Sequence, residues 1–333
     1  MIFVTGGTGL LGSHVLIELA KGEEPIRAIY RSDKKQKQLS ALFKYYFGQS
    51  WKGYLDRIEW CKGDILDIPF LQESMKGCSE VYHCAGMVSF HRKDFNKLIN
   101  VNRNGTANIV NIALQEGVSK LCHVSSTAAI GGNSESEISE AYKWKKTPTT
   151  SGYSISKYSA EKEVWRGIEE GLNAVIVNPS VILGAGNWNR SSLTLLRTIK
   201  RGINYFPPGS NAVVDARDVA EIMLRLMRSE IQNERFLCIG SNQSFKELMD
   251  EVALQLNVAP PRRKANRSLV EFARRYVSLL SLFTRKRPSI TKETVQSLFE
   301  KRCYSNHKVS NALNFEFREL AEMVRNSIEG KLN

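Results

Sequence analysis

Apolar residues alternate between two rhythms over the first half of the chain. Short runs dense in β-branched and aromatic residues stand at 2–5 (IFVT), 26–30 (IRAIY), 57–61 (RIEWC), 80–84 (EVYHC), 120–126 (KLCHVSS) and 173–178 (NAVIVN). Each reads as a short strand. Helical spacing fills the intervals: SHVLIELAKG after the first run, part of the basic and aromatic stretch 31–52, then 69–76, 94–116 and 153–170. Strands alternating with helices pair in parallel through crossovers, so the pattern predicts an α/β fold with a doubly wound parallel sheet over residues 1–178. After Pro179 the rhythm changes to loops and helices near 191–201, 217–228, 244–256, 268–283, 290–301 and 317–328, broken by FPPGSN and VAPPRR. Residues 179–333 therefore read as a smaller, mostly helical cap. It is interleaved with the first domain, because AVVDA and RFLCI near 212–240 can return strands to the main sheet.

Composition adds limits rather than direction. With 42% hydrophobic and 24% charged residues over 333 positions, a disordered or fibrous chain is excluded. No apolar run reaches the ~20 residues that span a bilayer, and the first residues lack the basic start and apolar stretch of a signal peptide. The expectation is a soluble, cytoplasmic protein. Six cysteines without a CxxC pair read as reduced, buried small hydrophobes, and five histidines without HxxxH or HExxH spacing predict no metal site.

The net charge of +13 is concentrated: residues 262–302 hold twelve lysines and arginines and three acids, nine of the thirteen charges. Within that segment SLVEFARRYVSLLSLF (268–283) puts Leu269, Phe272, Ala273, Tyr276, Leu280 and Phe283 on one stripe. The simpler reading packs this stripe on the cap and turns Arg274 and Arg275 to water. The other is contact with an anionic lipid surface, a substrate phosphate or another acidic partner. No nucleic-acid-binding module is visible.

Four motifs carry chemistry. Glycines 6, 9 and 12 in TGGTGLLG span the first strand-to-helix turn, with Thr8, Leu10 and Leu11 between them. Glycine allows close approach of a diphosphate, and the helix start offers free N–H groups to it. The second strand ends in Tyr30-Arg31-Ser32 with no acid at its tip. An acid there would hold the ribose of NAD, whereas Arg31 suits the 2′-phosphate of NADP(H), which is favoured over NAD(H); the alternative is a solvated helix start. Tyr153 and Lys157 in YSISK lie four apart on one helix face, where the ammonium can help a phenol of pKa ≈ 10 to give up its proton. Spacing alone also fits an exposed aromatic–cation pair. Ser125, Ser126 and Thr127 end a strand at the sheet edge that binds ligands in such folds; they can polarise a carbonyl or simply make a turn.

In order along the chain, the glycine turn, Asp64-Ile65, His83-Cys84-Ala85-Gly86, Asn102-Arg-Asn-Gly-Thr106, SST at 125–127, YSISK and NPSVILG at 178–184 resemble the extended short-chain dehydrogenase/reductases, the NAD-dependent epimerase/dehydratase superfamily. VDARDVA at 213–219 and YSNHKVSNALNFEF extend the likeness towards the end of the chain. The resemblance implies that Thr127 polarises the substrate, Tyr153 is the general acid/base and Lys157 grips the nicotinamide ribose. It assigns Asp64 and Ile65 to adenine, and Cys84, Ala85, Gly86 and Ser125 to the dinucleotide. Pro179 to Val181 meet the nicotinamide, and Asn102 falls on a helix position near the active site. A homodimer through helices 94–116 and 153–170 is implied as well.

Sugar dehydratases of this family carry an Asp-Glu pair directly after the catalytic threonine; here Ala128 and Ala129 stand there. Arg31, SSTAAIGG and NPSVILGAG look most like the dihydroflavonol-4-reductase-like group, which implies NADPH-dependent reduction of a small-molecule ketone or activated carbonyl. Nucleotide-sugar 4-epimerisation with the same residues is one alternative, and a non-catalytic dinucleotide-sensing protein another. Phe90, Trp188 and Phe206 are candidates for the pocket wall or for packing anchors.

Overall fold

The computed structural model describes residues 1–132, 137–284 and 291–332, with side chains described at all of these but 191 and 278–284. Six strands arise in the first half: β1 (Ile2–Thr5), β2 (Ile26–Tyr30), β3 (Ile58–Lys62), β4 (Glu80–His83), β5 (Lys120–Val124) and β6 (Ala174–Pro179). With the later strand Glu234–Cys238 they form a seven-stranded, all-parallel sheet in the order Glu234–Cys238, β6, β5, β4, β1, β2, β3. All residues of β1 and β6 are buried, because helices cover both faces. The strand order reverses between β1 and β4, which places a crevice at the C-terminal ends of those strands.

The helices follow from local chemistry. α1 (Leu10–Ala20) starts at Gly9 in extended conformation with no side-chain cap. α2 (Asp33–Phe47) and α3 (Trp51–Leu55) fill the stretch after β2. In α4 (Ile68–Met75) the Asp67 carboxylate accepts the Phe70 N–H at 3.1 Å, a typical N-cap. The expected long helix after β4 is α5 (Phe95–Leu98) and α6 (Gly105–Gln115), joined by a π-helical turn at Ile99–Asn104. α7 (Gly152–Glu169) opens with Ser151 accepting from Ser154 N at 3.0 Å. One face of the sheet packs on α1 and the helix Ala216–Arg228, the other on α6 and α7.

The two later apolar runs go different ways. RFLCI joins the main sheet beside β6. Ser210–Asp215 instead forms the middle of a separate three-stranded sheet, parallel to β7 (Val181–Leu183) and antiparallel to Ser241–Ser244. Asp215 then caps the helix Ala216–Arg228 through Arg217 N. Helices and this small sheet enclose a second core around Leu183, Trp188, Leu196, Leu248, Val252 and Met323. A helix at His307–Leu313, which periodicity did not reveal, packs against the returning strand.

Two expectations need correction. Cys78, Cys122 and Cys238 are buried, but Cys61 and Cys84 are half-buried and Cys303 is exposed. On the helix Arg267–Thr284 the apolar stripe does not pack on the cap: Leu269, Phe272 and Tyr276 are 38%, 70% and 56% exposed. The less exposed side is that of Val270, Arg274 and Val277, spaced by four and three residues, with Arg274 bound to Glu271 at 2.7 Å. Leu280 and Phe283 lie outside the residues whose side chains are described.

Candidate active site

The glycine turn closes tightly at the crevice. Gly6 takes φ +71°, and a Cβ there would stand 2.5 Å from the Ala85 nitrogen, so only glycine fits. Gly9 N donates to Gly6 O at 2.8 Å, and a Cβ on Gly12 would run into the Gly6 carbonyl. The first turn of α1 has no acid and no side-chain cap, so its N–H groups remain for an anion. This cradle fits a dinucleotide diphosphate. Thr8 and Leu10 are half-buried, and Leu11 is in the core, leaving its backbone to face the turn.

Thr5 organises the wall opposite. Its hydroxyl accepts Ala85 N at 3.1 Å and lies 2.7 Å from His83 Nδ1, while His83 Nε2 lies 2.9 Å from the Thr106 hydroxyl. Thr106 in turn donates to Asn102 O at 2.6 Å. The network assigns one direction throughout: Thr5 donates to Nδ1 and Nε2–H donates to Thr106, a neutral imidazole. Burial, with Lys157 nearby, holds the His83 pKa down to about 3, in keeping with that tautomer. Asn102 Oδ1 accepts Met87 N at 2.7 Å, and its Nδ2 donates to Met87 O and to Ser156 Oγ. Asn102 thus clips the loop carrying Cys84, Ala85 and Gly86 to α7. A Cβ on Gly86 would lie 3.8 Å from Lys157 Nζ. The Cys84 thiol is pushed up to about 12 by burial and is inert near neutrality.

At the tip of β2 the Arg31 side chain, 57% exposed, donates to Asp64 Oδ2 at 3.3 Å, and Asp64 Oδ1 accepts Leu66 N. Asp33 is bound to Lys62 at 2.6 Å. Burial lowers the Lys35 pKa, and the charges of Arg190 and Arg31 lower it further, so this end of the crevice is cationic. Ile65 is buried against Gly105.

α7 brings Tyr153, Lys157 and Glu161 onto one face. Lys157, 5% exposed, donates from Nζ to Val124 O at 2.7 Å. Burial presses its pKa down to about 8, opposed chiefly by the Glu161 carboxylate. Burial raises the Tyr153 phenol, and the Ser126 hydroxyl beside it pulls it back. Thr127 is buried, and among the described residues its hydroxyl has no hydrogen-bond partner. The Phe90 ring meets Tyr153 edge to face at 5.8 Å and is 43% exposed. Trp188 and Phe206 are elsewhere: Trp188 is buried with Nε1 donating to Ser327 O, and Phe206 lies under Lys246.

The Ser125 hydroxyl is tied to α7: it donates to Glu161 Oε2 at 2.8 Å in the interior. Glu161 also accepts Asn178 Nδ2 at 2.9 Å and Arg235 Nη1 at 2.9 Å, and Asn178 donates to Ser126 O at 3.1 Å. Pro179 ends β6 just beyond, and Val181 opens β7. Ser126 is one of the strand-end hydroxyls that the sequence offered, but the motifs assigned no role to Glu161, Asn178 or Arg235. The spacing of Glu161, four residues after Lys157 and eight after Tyr153, was the available signal.

The chain is similar to known proteins over most of its length. The NAD dependent epimerase/dehydratase family matches residues 2–240. Sterol demethylase protein B of Methylococcus capsulatus is 29% identical over 250 residues, 74% of this chain and 71% of that protein. Cinnamoyl-CoA reductase 1 of Petunia hybrida is 26% identical over 255 residues, 72% and 73% of the two chains. The crystal structure of gox2253 superposes with a TM-score of 0.80 at 26% identity, covering 98% of this chain and 96% of its own. The likeness to extended short-chain dehydrogenase/reductases with dihydroflavonol-reductase-like relatives therefore holds.

Proposed function

The chain belongs to the NAD dependent epimerase/dehydratase family, and from that premise we propose that it reduces a ketone or activated carbonyl on a small molecule with NADPH. One observation carries the reading: α7 and the end of β5 enclose Tyr153, Lys157 and the hydroxyls of Ser126 and Thr127 beside the crevice that the glycine turn opens. Ala128 and Ala129 remove the acid pair that a dehydratase would need. Relatives named as reductases support the same direction.

The glycine turn and Lys157 would hold the dinucleotide, which when bound would supply the hydride for the carbonyl carbon. On the protein side, the Thr127 hydroxyl donates to the carbonyl oxygen as negative charge builds there. Tyr153 gives its proton to that oxygen. The raised pKa of the phenol keeps it protonated and ready to donate. Lys157, charged below about pH 8, holds the ribose hydroxyls and stabilises the phenolate left behind. Arg31 with Lys35 offers the cationic end that a 2′-phosphate requires.

The test is turnover of a carbonyl panel with NADPH, followed by loss of its absorbance, for the native protein and Tyr153→Phe. Reduction by the native protein and its loss in the variant are expected. Retained turnover in Tyr153→Phe overturns the mechanism. Firmly retained dinucleotide with thermal stabilisation by UDP-glucose assigns the protein to nucleotide-sugar epimerisation instead. The same preparation, measured by light scattering, tests the proposed homodimer through α5–α6 and α7.

A further inference from the structure

We infer that the face of the helix Arg267–Thr284 carrying Leu269, Phe272 and Tyr276 seats the protein on an anionic phospholipid surface. These three side chains follow one another at three- and four-residue steps, and so form one stripe along the helix. Phe272 at 70% and Tyr276 at 56% are among the most exposed large apolar side chains of the described residues, and Leu269 beside them is exposed too. A soluble protein has no reason to order such a stripe in water, and contiguous exposed apolar faces mark interaction surfaces.

The surrounding charge selects the partner. Between 262 and 277 the chain has six arginines and lysines and one acid, Glu271. That acid is already bound to Arg274 on the less exposed side. Arg262, Arg263, Lys264, Arg267 and Arg275 are all exposed, the first three immediately before the helix and Arg275 beside Tyr276. An apolar stripe bordered by cations matches a bilayer interface, where aromatic rings enter the acyl boundary and long basic side chains reach the headgroup phosphates. Among the described residues no helix is long and apolar enough to cross a membrane, so the helix lies in the surface plane. Val270, Arg274 and Val277 form the less exposed side of the helix, which also contacts the helix Lys292–Phe299, and the stripe is left facing outward.

Vesicle sedimentation with the full-length protein tests this without reference to turnover. Vesicles of equal parts phosphatidylcholine and phosphatidylglycerol should bind the protein, phosphatidylcholine alone should bind it much less, and raised salt should release it. Replacing Phe272 and Tyr276 together by serine should weaken partitioning at least about tenfold, given the area two aromatic rings bury. Each charge removed from Arg262, Arg263 and Lys264 by glutamine should cost roughly fivefold. All these positions are exposed, and an unchanged melting temperature and unchanged NADPH binding establish that the variants are folded. Absence of binding to the anionic vesicles overturns the inference, as does binding that neither set of substitutions alters. If the serine variant instead halves the mass seen by light scattering, the face joins two copies of the chain and the lipid assignment fails.

Discussion

Ser125 Oγ donates to Glu161 Oε2 at 2.8 Å, with both side chains sealed from solvent. The bond ties the end of β5 to the helix that carries Tyr153 and Lys157. The same carboxylate raises the Lys157 pKa against the effect of burial. Glu161 is therefore a positioning residue acting through Lys157 and the strand end. Glu161→Gln should lower the Lys157 pKa below about 8 and move the alkaline fall in kcat towards lower pH, whereas Ser125→Ala should leave that limb in place. A limb unmoved in Glu161→Gln would show that Glu161 serves packing alone.

Lys157 is buried as a cation at a cost to the fold. Its native pKa of about 8 lies below the ordinary lysine value of 10.5. The unfolded chain therefore holds more protons between those values, and stability rises as pH climbs from about 8 to 10.5. Below that window the penalty is fully present, on the order of 3 kcal/mol. The bond to Val124 O offsets part of it. Lys157→Met should lose nearly all turnover yet melt no lower than the native protein at pH 7. Its advantage should shrink as pH rises through the window. A lower melting temperature at pH 7 would refute this reading.

The two hydroxyls near Tyr153 should separate by substitution. Among the described residues the Thr127 hydroxyl has no hydrogen-bond partner, whereas Ser126 Oγ accepts Ala128 N at 3.2 Å and lies beside the Tyr153 phenol. Thr127→Val should reduce kcat about a hundredfold or more, by loss of a donor to the developing oxyanion. Ser126→Ala should leave a milder defect and shift the Tyr153 pKa upward, because Ser126 lowers it. Kinetics across pH with one carbonyl substrate distinguish the two. The reverse ranking would make Ser126 the donor.

Cofactor choice rests on the tip of β2. Among the described residues Arg31 is held by an exposed contact with Asp64, which contributes little to stability. Arg31→Ala should keep the melting temperature while lowering kcat/KM with NADPH by about ten- to a hundredfold, and should change kcat/KM with NADH far less, as expected when a charged hydrogen bond to phosphate is lost. Equal losses with both cofactors would show that Arg31 does not read the 2′-phosphate.

The sheet and the glycine turn were legible because each is encoded within a few adjacent residues: β-branched runs, then glycines at fixed spacing, then a helix. Tyr153 and Lys157 were legible for the same reason. The carboxylate beneath them was not, since Ser125 and Asn178 reach Glu161 from other elements and Arg235 from a strand far along the chain. Nor does periodicity alone orient the helix Arg267–Thr284. It contains two apolar stripes, one through Leu269, Phe272 and Tyr276 and one through Val270 and Val277, and hydrophobicity favours the first. In the fold the second stripe is the less exposed one, together with Arg274, which pairs with Glu271.

Arg235 enters the chain 74 residues after Glu161. A polypeptide emerging from the ribosome can pair β1 to β6 and lay α7 on them while that carboxylate still lacks its counter-ion. The last strand to join therefore completes more than a sheet edge. Until it docks, Glu161 has its bonds to Ser125 and Asn178 but not its ion pair with Arg235.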